Sequence, residues 1–413
     1  MKRFILSALC LAVSFCVFAS VPPYTNADTW VAYEAFNACF LDPGKNIYKE
    51  FSTDEAAVER LKGAAAIWTQ PMYVDMAMNA YKRAKKEGNK ELEAKYQKLS
   101  RDLIAGNKAH YVNFNFDDQN IPKGWFIYDD IMWWTITLAR AYETLGDKSY
   151  LEDSERSFAR VWYGSPKELG GIGDHGSYDP KTGGMFWDWD QKNPGDNTGH
   201  YQSACINFPT VVAAMTLYNN VPEGRKEITG SPRPEYQTKE QYLEKAKAVY
   251  KWGVDNLFDP KTGVIADGRH GDGEPAWGHC LVYNQATFIG ASVLLYKATG
   301  EEQYLKNAIL AADHTVNVLS APLGLLPFKE GVEQGIYTTI FAQYIAPLVY
   351  DCGQTQYLSF IRRTIDYGWM NRDESRNLTG GDYSKKWTPG AKIESYSASG
   401  IPALMLLFPT DGR

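Results

Sequence analysis

The stretch LARAYETLGDKSYLEDSERSF, residues 138–158, has the form of a helix, a stop and a second helix. Ile131, Trp134, Leu138, Ala141 and Leu145 recur at spacings of three and four, which lays one apolar stripe along a helix over 131–145. Gly146 ends the stripe, because glycine takes the left-handed turn that closes a helix. A short polar turn follows, and the next helix starts near Tyr150. A second copy, LLYKATGEEQYLKNAILAA, occupies residues 294–312, and its pair Tyr296 and Tyr304 keeps the spacing of Tyr142 and Tyr150. Weaker copies lie at 80–99 and 348–363, and one at 217–252 is split by a Pro/Gly-rich insertion over 221–235. The anchor tyrosines Tyr81, Tyr142, Tyr218, Tyr296 and Tyr350 follow one another at steps of 61, 76, 78 and 54 residues, each long enough for two helices and their loops.

A helix pair of this kind cannot bury its apolar faces alone, so the pairs must stack. Five pairs are recognisable. SASGIPALMLLF (397–408) and WVAYEAFNACF (30–40) can form a sixth and join the two chain ends. The expected fold is all-α, an (α/α)6 toroid in a single domain over residues 20–413. The alternative, an open solenoid, would want polar caps, and both ends here are apolar. YDPKTGG (178–184) and FDPKTGV (258–264) are twin turns at the same point of two repeats, with Asp-Pro opening the bend and glycine taking the positive φ. The Gly-rich loops 164–200 and 265–280 are too long for mere connectors, and loops of that size usually build a site.

The totals narrow the function. Charged residues make up 22% and the formal net charge is −6, with no basic run beyond short pieces such as KRAKK (82–86), so nucleic acid is not an expected partner. Aromatic residues reach 14%, with 12 Trp and 27 Tyr, more than a core of this size requires; such rings also stack on the apolar faces of sugars. At the amino terminus, Lys2 and Arg3 precede an apolar run, Phe4 to Phe18, too short to span a bilayer well, and Val17 and Ala19 fit a small-residue cleavage pattern. Residues 1–19 read as a signal peptide and the mature protein as exported, periplasmic or extracellular. Cys10 and Cys16 lack the small preceding residue of a lipoprotein signal. No later run is long enough to cross a membrane. Cys39, Cys205, Cys280 and Cys352 show no metal-type spacing and read more simply as single thiols than as a framework, although export permits a disulfide whose pairing the sequence does not give. No metal or other cofactor is expected, and the oligomeric state is not readable.

Within GWFIYDDIMWW (124–134), two adjacent acids stand among aromatic rings. Asp129 and Asp130 could simply begin a helix, since acids favour its N-terminus. One cap needs only one acid, however, and aromatic walls make ionising both harder. Side chains one apart on a helix point about 100° apart, so both can reach one bound ring. A retaining glycosidase needs two carboxyls about 5 Å apart, which neighbouring Asp side chains can supply. Trp133 is the better cleft candidate and Trp134, on the apolar stripe, the core one. Trp125 and Tyr128 flank the acids, and Trp187 and Asp188 offer a ring and a hydroxyl acceptor in a loop. Asp267, Asp272 and Glu274 could hold a sugar hydroxyl or a structural cation, but read most simply as solvated loop acids.

YDDIMWW resembles the Asp-Asp motif of glycoside hydrolase family 76, the endo-α-1,6-mannanases. GGMFWDWD (183–190) and SACINFPTVVAAMTLY (203–218) are similar to that family's Gly-Gly loop and Asn-ended helix start. The resemblance runs along nearly all of the mature chain and implies an (α/α)6 barrel with retaining chemistry on α-mannan. By position, Asp129 would be the nucleophile and Asp130 the acid/base; Asn207 matches the end of the second motif, and Tyr337 falls in QGIY (334–337). The sequence departs from the family at Gln202-Ser203, at QGIY and at Gln343-Tyr344, which bears on the sugar subsites. Two other readings stand beside it: another toroid enzyme, an unsaturated uronyl hydrolase or sugar epimerase, and a non-catalytic glycan-binding protein. Endo and exo action are not separable, although the segment 221–236 is long enough to close one end of a cleft.

Overall fold

The computed structural model describes residues 21–53, 63–117, 127–189, 201–329 and 334–411. The signal segment and Trp125 lie outside them. Six helices stand in an inner ring: α2 (Gln70–Lys86), α4 (Tyr128–Leu145), α6 (Ala204–Asn220), α8 (Val282–Thr299), α10 (Gln334–Tyr350) and α12 (Ser395–Leu407). Each touches the next, and α12 returns to touch α2. Six more surround them: α1 (Asn26–Phe40), α3 (Lys90–His110), α5 (Lys148–Tyr163), α7 (Lys239–Leu257), α9 (Glu302–His314) and α11 (Leu358–Met370). The molecule is an (α/α)6 toroid.

The joint between the chain ends is the one the sequence suggested. Helices α1 and α12 are in contact, and the Tyr24 hydroxyl donates to the Phe408 carbonyl. Thr410 N–H donates to Asn26 Oδ1 at 3.0 Å, and Tyr24 N–H to Asp366 Oδ1 at 2.8 Å. The hairpin between α4 and α5 also forms as read. Gly146 closes α4 at φ 76°, and the Asp147 side chain accepts from Ser149 N–H at 3.0 Å to cap α5. Gly300 closes α8 in the same way at φ 72°.

The single apolar stripe drawn on α4 was too narrow. Met132, Trp133, Thr135, Ile136, Thr137 and Ala139 are buried along with it. An inner helix has neighbours on both flanks as well as behind it, so it is covered on almost every side; α6 shows this most fully, buried without a break from Ala204 to Leu217. Among the described residues there are two short antiparallel ribbons, β1 (Leu41–Asp42) with β2 (Ile47–Tyr48) and β3 (Tyr201–Ser203) with β4 (Gly268–His270). Among the described residues, no helix is long and apolar enough to cross a membrane.

Candidate active site

The chain alternates inner and outer helices, so the inner helices run parallel and their N-termini converge on one mouth of the ring. A cavity of about 440 Å³ opens there, within the range of small-molecule sites. Its walls come from the starts of four inner helices and the segments just before them. Helix α4 contributes Asp129, Asp130 and Trp133, preceded by Ile127; β3 and α6 contribute Tyr201, Ser203 and Cys205. Tyr283 of α8 and Tyr337 of α10 stack on each other at 4.4 Å, and Trp68, Trp187 and Asp267 complete the wall.

The sequence places these groups through a repeated device. Near the N-terminus of an inner helix, an amide side chain grips the main chain of the segment before it. Gln70 accepts from Tyr48 N–H at 3.1 Å and donates to Tyr48 O at 2.9 Å. Asn207 accepts from Met185 N–H at 2.9 Å and donates to Met185 O at 3.1 Å and Ser203 O at 2.7 Å. Gln285 accepts from Ile265 N–H at 2.6 Å and donates to Gly263 O at 2.8 Å. The last two grips act on the twin turns, which form alike: Asp179 and Asp259 each accept from the backbone two residues on and the Thr hydroxyl three residues on. Two residues beyond each gripped position, the turns deliver Trp187 and Asp267 to the cavity.

Trp187 is tied on both sides. Its carbonyl accepts from Tyr128 N–H at 3.2 Å, and its N–H donates to Tyr201 O at 2.8 Å. This lattice sets the start of α4, the loop and β3 side by side. Asp129 is thereby surrounded by donors. Burial pushes its carboxyl up to about 6, while hydrogen bonds from the Cys205 thiol, the Trp187 indole and backbone N–H groups pull it back. The Asp130 N–H lies 3.0 Å from Asp129 Oδ1. Burial, with the Asp129 charge second, holds the Cys205 thiol well above its ordinary value, so it stays protonated and able to donate. The Ser203 hydroxyl continues the same chain of groups, 3.1 Å from Cys205 Sγ. Asp267 is held from two sides, by the Tyr201 hydroxyl at 3.0 Å and Asn284 Nδ2 at 2.9 Å.

Of the residues singled out in the sequence, Asp129, Asp130, Trp133, Trp187 and Tyr337 meet in this cavity. Trp134 is fully buried, as its stripe position implied. Tyr128 is a correction: it points away from the cavity and is buried, its hydroxyl donating to Asp174 Oδ2 at 2.6 Å and its ring 4.9 Å from Trp189. The cause is the helical step, which turns Tyr128 into the wall when Asp129 takes the mouth. Asn207 is also buried and acts on the backbone, as the grip above describes; the motif that contains it reaches the cavity through Ser203 and Cys205 instead. Asp188 bridges Ile127 by its backbone and lies outside the cavity lining. Asp272 is fully exposed, but Asp267 is not the solvated loop acid it resembled. The register of the twin turns was the signal, since Asp267 follows Phe258 of FDPKTGV at the same distance as Trp187 follows Tyr178 of YDPKTGG.

The segment 221–236 does not close the cavity. It is held against α5 by Arg225 on Glu155, and against the stretch that follows α3 by Arg233 on Asp117 at 2.6 Å. Gln202, one of the departures from the family pattern, donates to Thr182 Oγ1 at 2.9 Å behind the wall. Gln343, another, accepts from Asn79 at 2.8 Å away from the cavity lining.

Residues 42–400 match the model of glycosyl hydrolase family 76. No curated protein matches. Among solved structures, an α-1,6-mannanase from Salegentibacter is 21% identical, with a TM-score of 0.70 over 92% of this chain and 98% of that one. An inactive variant of that neighbour, with Asn in place of two consecutive Asp, is solved with α-1,6-mannotriose at a TM-score of 0.71 and 20% identity, over 92% and 98% of the two chains. A family 76 mannosidase from Bacteroides thetaiotaomicron is 18% identical at a TM-score of 0.69, over 92% and 96%. An unsaturated glucuronyl hydrolase specific for heparin is 13% identical at 0.59, over 93% and 96%. At these identities the structures share the fold.

Proposed function

The chain belongs to glycosyl hydrolase family 76, and from that footing we propose that it is a retaining hydrolase of α-1,6-mannosidic linkages, acting within mannan backbones. The observation that carries the proposal is the pair of carboxyls on the first turn of α4, both facing one aromatic-walled cavity. The mannanase neighbours support the substrate, and the neighbour made inactive by replacing two consecutive Asp supports the role of the pair.

In this reading Asp129 is the nucleophile. Three kinds of donor converge on it, which orients one oxygen and favours the ionised form that attacks the anomeric carbon. Asp130 protonates the departing glycosidic oxygen, then takes a proton from the water that hydrolyses the glycosyl-enzyme. The stacked Tyr283 and Tyr337, with Trp133 and Trp187, offer faces for the pyranose, and Asp267 accepts a sugar hydroxyl. Asn207 positions the loop that carries Trp187. Residues 1–19 direct export in the same proposal.

The uronyl hydrolase reading has a structural relative in its favour. A uronate calls for Arg or Lys beside its carboxylate, and no described residue of the cavity lining carries positive charge. A neutral sugar fits better. The test is incubation with unbranched α-1,6-mannan, reading reducing ends and product size over time. Early products of mixed length support internal cleavage. Release of mannose alone would replace endo with exo action, and binding without reducing ends would leave only a glycan-binding protein.

A further inference from the structure

Among the described residues, only two tryptophans are exposed by a third or more, Trp187 at 36% and Trp277 at 40%. Trp187 is accounted for by the cavity. Trp277 lies in the loop that returns from β4 to α8. That loop is not loose. Gly271 takes a positive φ of 50°, Ala276 N–H donates to Gly268 O at 2.9 Å, and His279 N–H donates to Ala276 O at 3.1 Å. Gly268 pairs with Ser203 in the β3–β4 ribbon and follows Asp267, and both Ser203 and Asp267 line the cavity. The backbone beside Trp277 is therefore tied to Gly268, the chain neighbour of the cavity residue Asp267, while two fifths of Trp277 stays exposed.

An indole left 40% exposed forgoes part of the apolar burial that a large ring can gain. The surrounding loop is polar: Asp272, Glu274 and His279 are exposed beside it. A flat, part-exposed apolar ring on a hydrogen-bonded loop that carries polar residues and is tied to the neighbour of a cavity residue has the chemistry of a pyranose platform. We propose that Trp277 is a binding platform for a hexopyranose unit outside the catalytic cavity, taking the continuing mannan chain. The inference rests on the α-1,6-mannan reading and adds to it a subsite that only long substrates reach. It also gives a physical basis for action within a chain, because a platform beyond the cavity rewards substrates that extend past the cleaved linkage.

The experiment compares the natural protein with Trp277→Ala and Trp277→Phe on α-1,6-mannan and on the shortest α-1,6-manno-oligosaccharide it cleaves. The ring is exposed, so neither substitution opens a core cavity. On mannan, Trp277→Ala should raise KM by about three- to tenfold, the loss of one ring-stacking contact, with a smaller change in kcat. Trp277→Phe should restore most of the loss, and the oligosaccharide should show a clearly smaller rise than the polymer. Retention of the variants in a mannan-containing native gel reads the same contact without turnover. Equal KM and equal retention for Trp277→Ala and the natural protein would overturn the platform, and so would an equal rise on short and long substrates. If the natural protein neither binds nor hydrolyses α-1,6-mannan, the parent reading fails instead.

Discussion

Replacing Asp129 with Asn should abolish turnover and make the protein more stable. The Asp129 carboxyl titrates at about 6 rather than 3.8, chiefly because it is buried. At about 1.36 kcal/mol per pH unit of displacement, the ionised form costs the fold about 3 kcal/mol at neutral pH. Asparagine removes that cost. It also turns an amide N–H₂ toward a site where the Cys205 thiol, the Trp187 indole and the Asp130 N–H all donate, which forfeits about 1 kcal/mol. The net expectation is a gain on the order of 1–2 kcal/mol at pH 7, seen as a rise of a few degrees in the unfolding midpoint. The pH dependence gives the prediction its specificity. Below pH 3.8 the carboxyl is protonated whether the chain is folded or unfolded, so only the amide's loss of about 1 kcal/mol should separate the two proteins, with the variant slightly the less stable. Between 3.8 and about 6 the unfolded chain releases its proton while the folded chain keeps it, so the natural protein loses stability relative to the variant as pH rises. Above about 6 the gap should stay constant. Calorimetric unfolding of both proteins across this window checks the reasoning. A gap that does not change with pH, or a variant less stable at neutral pH, would refute it.

The same carboxyl predicts the acid limb of activity. The nucleophile works ionised, so kcat/KM for mannan hydrolysis should fall as pH drops through about 6, and a limb near 4 would show that Asp129 is not the group titrating. The floor beneath the site should be fragile. Asp174 is buried, pairs with Arg160 at 2.9 Å and accepts from the Tyr128 hydroxyl, so Asp174→Ala leaves the buried guanidinium, among the described residues, only Asp117 at 3.3 Å and the Phe116 carbonyl, both on its Nε, and should lower stability by about 3 kcal/mol in urea unfolding. A loss under about 1 kcal/mol would mean that Arg160 finds water or another partner.

The ring was legible because its units are local. Each hairpin carries its own stripe, stop and restart, and the tyrosine anchors fall near the ends of inner helices, from Tyr81 in α2 to Tyr350 in α10. Closure could be read from the apolar character of both chain ends, Phe36 and Phe40 on one side and Leu404 and Phe408 on the other, all fully buried. The cavity was less legible because it is assembled from seven separate segments. Asp129 and Asp130 announced themselves by being adjacent, and Trp133 by its place next to the stripe. Tyr283 and Tyr337 meet only because α8 and α10 are neighbours in the ring, a contact no spacing encodes. Asp267 looked like any acid in a glycine-rich loop, and only comparison of the two turns in register marks it. Tyr128 and Asn207 illustrate the opposite limit. A motif locates a backbone segment, but the direction of each side chain is set by the helix phase and by which main-chain groups need a partner.

The central claim is a double displacement at the anomeric carbon by neighbouring carboxyls. Proton NMR of the first reducing ends released from α-1,6-mannan, recorded before mutarotation, tests it most directly. The account predicts the α-anomer first, with the β-anomer growing in later. A β-anomer at the outset would contradict it, since a single displacement by water would then be the chemistry and Asp129 could not be the nucleophile.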